Sequence, residues 1–235
     1  MPHIVLLRHA QASFYGESYD ALSEVGHRQA SALGEHWATT GVTYDRVFVG
    51  PLRRHAETWR AIAGAYRDAD RPLPEAHIVP FLDEHHGVQV VAHALGRGTH
   101  HAGAMQSQRN TGPVDPQELR REYFARFREV LLRWAAGDLE VPGVETFADF
   151  RSRASSVLDL LQAEGSGRVL AVSSGGLAAM VVGGLLGLDD ERVIDLNLLL
   201  RNCATTEFLV SGSRRSLLCF NALPPAVALV AETFV

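Results

Sequence analysis

Three short apolar runs, each leading into a polar cluster, constrain this chain more than any other feature. The first is Ile4-Val5-Leu6-Leu7, unbroken and rich in branched side chains. A strand with one wet face alternates apolar and polar residues, so an unbroken run suits a strand covered on both faces. Arg46 to Val49 (RVFV) and Val169 to Ser173 (VLAVS) repeat the pattern, and His77 to Pro80 (HIVP) reads as a further short strand. Helical stretches separate them. Leu22, Val25, Gln29, Leu33 and Trp37 recur at helical spacing behind a Ser23 N-cap, and Gly41 closes that segment. Pro51 suits the first turn of a helix running to about Tyr66. Phe150, Ala154, Val157 and Leu161 mark another from Phe147 to Ala163, and Ser174-Gly175-Gly176 turns into an apolar helix. Strands alternating with helices predict a three-layer α/β/α sandwich on a mostly parallel sheet. Late in the chain, Thr205 to Val210 and Ser216 to Phe220 flank Gly212 like an antiparallel hairpin.

The length of 235 residues suits a single domain, 1–235. Its texture changes over 85–140, where glycines and histidines break the periodicity before an amphipathic stretch from Pro116 to Ala136. There Leu119, Tyr123, Phe127, Leu131 and Trp134 fall near one face. This segment is expected to be a helical insertion over the strand ends, serving as a lid or pocket wall. A formal net charge of −5 provides no global field for nucleic acid or an acidic membrane, so any anion site must be local. Neither a signal peptide nor a membrane span is expected, because Met1 leads directly into a strand and the most apolar helix carries four glycines. Cys203 and Cys219 fit reduced core residues of a cytoplasmic protein.

The polar clusters carry the chemistry. In open α/β sheets ligands bind beyond the carboxyl ends of the strands. Here those ends present Arg8-His9, then Arg53-Arg54, then Ser173-Ser174-Gly175-Gly176, with Glu84 close to a further strand and Gln11 and Ser13 following His9. Two arginines, a histidine and a helix N-terminus suit a phosphoryl group, and a carboxylate among cations can protonate a departing alkoxide. A serine hydrolase is disfavoured: Ala171 stands where a nucleophile elbow needs its first glycine, and the last histidine, His101, precedes the serines. The pairs His85-His86 and His100-His101 lack compact metal-ligand spacing, so no metal site is assigned. Asp20 to Glu24 reads as exposed surface.

These clusters resemble motifs of the histidine phosphatase superfamily, the phosphoglycerate mutase-like fold. Leu7-Arg8-His9-Ala10-Gln11 is similar to its Arg-His-Gly motif, with Ala10 in place of Gly. Pro51-Leu52-Arg53-Arg54 with Thr58 resembles Ser-Pro-Leu-x-Arg-x-x-x-Thr, with Gly50 in place of Ser. Leu82-Asp83-Glu84 resembles the segment carrying the acid, and Gly143-x-Glu145-Thr146 resembles a Gly-Glu-Ser helix start. The resemblance implies hydrolysis of small phosphomonoesters, with His9 as nucleophile, Arg8 and Arg54 as phosphoryl clamps and Glu84 as general acid. Gln11, Ser13, Ser174 and Gly175 would line the phosphate or substrate side. No cofactor or metal is implied, and the partner is a small phosphorylated substrate; a homodimer is left open. One departure stands out: Ser174 occupies the place of a second histidine. Loss of one preorganised donor there costs on the order of 10²–10³ in rate. The alternatives are therefore a weakened or inactive phosphate-binding relative, or a phosphoglycerate-type mutase, with His85 or His86 as candidates to compensate. On a simple loss, Ser174→His should raise the rate or leave it intact.

Overall fold

The computed structural model describes residues 1–13, 20–96 and 116–234. Among these residues the six strands are β1 (His3–Arg8), β2 (Arg46–Val49), β3 (Ala76–Ile78), β4 (Arg168–Ser173), β5 (Thr205–Ser211) and β6 (Arg214–Ala222). They form one sheet in the order β3-β2-β4-β1-β5-β6. The first four are parallel, while β5 and β6 add an antiparallel edge. The hairpin between those two turns at Gly212, whose φ of 58° favours glycine.

The unbroken apolar runs have a direct explanation. Ile4 and Leu6 of β1, Phe48 of β2 and Val169 and Ala171 of β4 enter one hydrophobic cluster. Their neighbours Val5, Leu7, Val47, Val49, Leu170 and Val172 enter another on the opposite face. Successive strand residues point to opposite faces, so both sides of the sheet need apolar cover. One face is covered by α1 (Glu24–Thr39) and α2 (Arg53–Asp68), with Leu33, Trp37, Ile62 and Tyr66 in its core. The other meets α5 (Phe147–Ala163) and α6 (Gly175–Leu186), joined by residues of α3 (Gly87–Ala94) and α4 (Pro116–Ala135). Val90, Val91, Val130, Leu131 and Trp134 belong to that core, whereas the side chains of Leu119 and Tyr123 lie outside the described set. The mixed α/β architecture is as the sequence predicts.

Local chemistry fixes the helix starts. Ser23 accepts from the Gly26 amide at 3.0 Å, and Thr146 and Asp149 form a reciprocal capping box. Pro51 sits one residue ahead of the Leu52 N-cap rather than inside the first turn of α2. The cap of that helix comes from Asp20, whose carboxylate accepts from the Arg53 amide at 2.9 Å. Asp20 is thus not plain surface: it supplies the acceptor that Leu52 lacks. Gly87–Ala94, α7 (Asp190–Leu199) and α8 (Pro225–Val230) are helices that the sequence pattern did not reveal. Each spans three turns or fewer, too short to establish an apolar period.

Register places the site. Arg8 pairs with Ser173 and Val49 with Val172, so β1, β2 and β4 end within one residue of one another. The residues that follow, His9, Gly50 and Ser174, therefore emerge side by side at one sheet edge.

Candidate active site

His9 is buried at this edge, 5% exposed. Its Nδ1 lies 2.7 Å from the Ala10 carbonyl oxygen, a contact only an N–H can make favourably. The ring proton therefore sits on Nδ1 and the lone pair on Nε2, where Arg54 Nε donates at 3.1 Å. Both contacts select the same tautomer. Burial, then the charges of Arg54 and Arg8, hold the His9 pKa well below that of an ordinary imidazole, so the ring is neutral at physiological pH. The loop is clamped on two sides. Thr58 Oγ1 accepts from the Ala10 amide at 3.0 Å and donates to the Arg54 carbonyl at 2.7 Å, and Asn202 Nδ2 donates to the His9 carbonyl at 3.1 Å.

Arg8 and Arg54 are both buried. Arg8 Nη1 donates to the carbonyls of Leu200 and Phe234, which ties the end of the chain to β1. Arg54 Nη1 pairs with Asp20 Oδ1 at 2.9 Å while its Nε faces His9. Asp20 thus caps α2 and orients an arginine at the same time.

Glu84 follows a 3₁₀ turn, Pro80–Leu82, whose Leu82 carbonyl accepts from Ser173 Oγ at 2.7 Å. Its carboxylate accepts from the His85 amide at 2.9 Å and the Gly176 amide at 3.1 Å. Burial raises its pKa, but His85, Arg54 and the two amides outweigh that effect and hold the carboxyl below its usual range. Arg153 braces the segment: Nη1 donates to the Asp83 carbonyl at 2.8 Å, and Nη2 pairs with Glu145 at 2.5 Å. His85 turns toward Glu84 and Asn197, with Nδ1 accepting from the Gly87 amide at 2.9 Å. His86 instead faces Glu145, at 3.3 Å.

The two glycines opening α6 are required for space, since neither has positive φ. A Cβ on Gly176 would lie 2.3 Å from Glu84 Oε1, and one on Gly175 would lie 3.2 Å from Arg8 Nε. The Ser174 hydroxyl makes no capping bond to the helix. It lies 2.6 Å from Nε2 of His55, on α2. His55 was not anticipated; one sequence does not reveal which of 11 histidines faces a serine 119 positions away. Asn202, Arg153 and Asp20 were missed as contributors for the same reason.

Gln11 and Ser13 stand further from His9 along the loop. The Gln11 side chain accepts from Ser23 Oγ at 2.8 Å, and the Ser13 amide donates to the Ala21 carbonyl at 2.8 Å. His100 and His101 lie outside the described residues. Among the described residues no group of three or more His, Cys, Asp or Glu has the geometry to hold a metal ion.

Comparison with known proteins bears on this arrangement. The histidine phosphatase superfamily (branch 1) matches residues 4–136 and 109–223. No curated protein matches the chain. Among solved structures, a phosphoserine phosphatase from Entamoeba histolytica superposes with a TM-score of 0.61 at 18% identity, covering 94% of this chain and 98% of the other. An alpha-ribazole phosphatase from Shigella flexneri gives 0.61 at 18%, covering 94% and 96%. A mycobacterial glucosyl-3-phosphoglycerate phosphatase gives 0.58 at 24%, covering 94% and 98%. At these identities the likeness is one of fold.

Proposed function

The chain belongs to the histidine phosphatase superfamily, and we propose that it hydrolyses small phosphomonoesters through a phosphohistidine at His9. The observation that carries this reading is the tautomer of His9: a neutral ring, its proton held by Ala10, with the Nε2 lone pair beside a buried arginine. Nε2 attacks phosphorus as the ester P–O bond breaks. Arg8, Arg54 and the N-terminus of α6 hold the charge on the non-bridging oxygens. Glu84 gives its proton to the departing alkoxide, then takes one from the water that displaces His9 from phosphorus. Inorganic phosphate leaves and the free imidazole returns. Glu84 enters ionised and takes the proton carried in by the phosphomonoester monoanion, whose negative charge raises the carboxyl's affinity for it.

The chemistry needs no metal or cofactor. We place substrate selection in the insertion, 85–140, whose α3 and α4 join the core beside the Glu84 segment. Retention of the phosphoenzyme, which a mutase requires, is the less favoured outcome. We also assign the protein to the cytoplasm, consistent with two free cysteines; among the described residues no helix is long and apolar enough to cross a membrane.

Phosphate release from a panel of phosphomonoesters, measured with a chelator present, tests the function. Turnover of at least one class, unaffected by the chelator, is expected. Binding of inorganic phosphate without release from any ester would favour a phosphate-binding relative instead.

A further inference from the structure

His55 is 0% exposed and stands on the first turn of α2, directly after Arg54. Its ring centroid is 5.7 Å from that of His9, and its Nε2 is 2.6 Å from the Ser174 hydroxyl, which is also fully buried. The ring occupies space that Gly50 leaves open: a Cβ there would come within 2.3 Å of Nδ1. Gly50, His55 and Ser174 therefore form one packing unit, built from the ends of β2 and β4 and the start of α2. A polar pair this deep serves no packing need that two apolar side chains would not meet, and it lies against the nucleophile.

We propose that His55 is a positioning residue of the phosphoryl pocket, holding the Ser174 hydroxyl and backing His9 from the place an imidazole at position 174 would otherwise fill. The proposal rests on the phosphatase reading above and adds a residue to it. The 2.6 Å contact holds the Ser174 hydroxyl whichever atom carries its proton; in the tautomer with the proton on Nε2, His55 donates to Ser174 Oγ and the hydroxyl hydrogen can point at an anion on the N-terminus of α6. Two short side chains thus bring a neutral donor to a phosphoryl oxygen. Neither His85, engaged with Glu84 and Asn197, nor His86, engaged with Glu145, takes this role.

The arrangement reverses the expectation for Ser174→His in isolation. A second imidazole at 174 must enter the space His55 fills, so the single variant should lose roughly 10²-fold in kcat, on the scale of a displaced catalytic geometry. His55→Ala alone should lose about 10-fold to 100-fold in kcat, because one oriented donor is lost. In the double variant His55→Ala/Ser174→His the new ring has room, and kcat should recover above both singles. His55→Gln, which keeps a donor near the Nε2 position, should stay closer to wild type than His55→Ala. Melting temperatures monitor folding. Affinity for inorganic phosphate, measured by calorimetry on the same proteins, follows the same order without needing turnover, so failure of the phosphatase reading stays separate. An unchanged kcat and phosphate affinity in His55→Ala would overturn the inference. So would an effect of Ser174→His that is the same with and without His55.

Discussion

Replacement of His9 by alanine is expected to reduce phosphate release by about 10⁴-fold or more while leaving a folded protein. The size follows from the chemistry: without Nε2 no covalent intermediate forms, and water must attack phosphorus directly in a site built around the imidazole. Retention of the fold follows from the packing. His9 follows the end of β1, and its loop is held through backbone groups, by Thr58 on the Ala10 amide and Asn202 on the His9 carbonyl. Stability should carry a further mark of the burial. Because the pKa of His9 is lowered in the fold, the unfolded chain binds more protons below about pH 6.5, and wild type loses stability as pH falls through that value. His9→Ala removes this contribution, so its melting temperature relative to wild type should be higher at pH 5 than at pH 8. Surviving turnover in the folded variant would contradict the assigned nucleophile.

The second large effect is expected at a residue with no side chain. A Cβ on Gly176 would lie 2.2 Å from His85 Cδ2 and 2.3 Å from Glu84 Oε1. Neither neighbour has freedom to yield. His85 is fixed by the Gly87 amide and Asn197, and Glu84 by the amides of His85 and Gly176 itself. Gly176→Ala should therefore displace the acid and lower kcat by roughly 10²-fold or more for alkyl phosphates. The backbone of α6 should tolerate it, since alanine favours helix over glycine by about 1 kcal/mol. Leaving groups separate this account from general damage. A nitrophenyl phosphate departs without a proton, so its hydrolysis should suffer far less. Equal losses on both substrates, or none on either, would contradict the placement of Glu84.

Much of this arrangement is legible in the sequence because it depends on local pattern. The two-faced apolar runs at Ile4 and Val169 announce strands under helices, and the polar residues after them mark the sheet edge at which His9 and Ser174 emerge. Order along the chain also suffices to relate Arg8-His9, Arg54 and Glu84 to one family. Lateral contacts are another matter. That His55 meets Ser174, that Asp20 reaches both Arg53 and Arg54, and that Arg153 braces Glu84 all follow from strand register and helix rotation, which no short window encodes. The departure at Ser174 reads in one dimension as a missing histidine. In three dimensions an imidazole stands 2.6 Å away on another helix. The short helices α7 and α8 escaped for want of length, although Asn197 of the first touches His85.

The most direct test of the central claim is to mix the protein rapidly with a radiolabelled phosphomonoester from the panel, quench in alkali, and map any label by mass spectrometry. A transient phosphoprotein labelled at His9, stable in alkali, lost in acid and absent from His9→Ala, is expected. Label on another residue, such as an acid-stable adduct on Ser174, or turnover without any phosphoprotein, would contradict it.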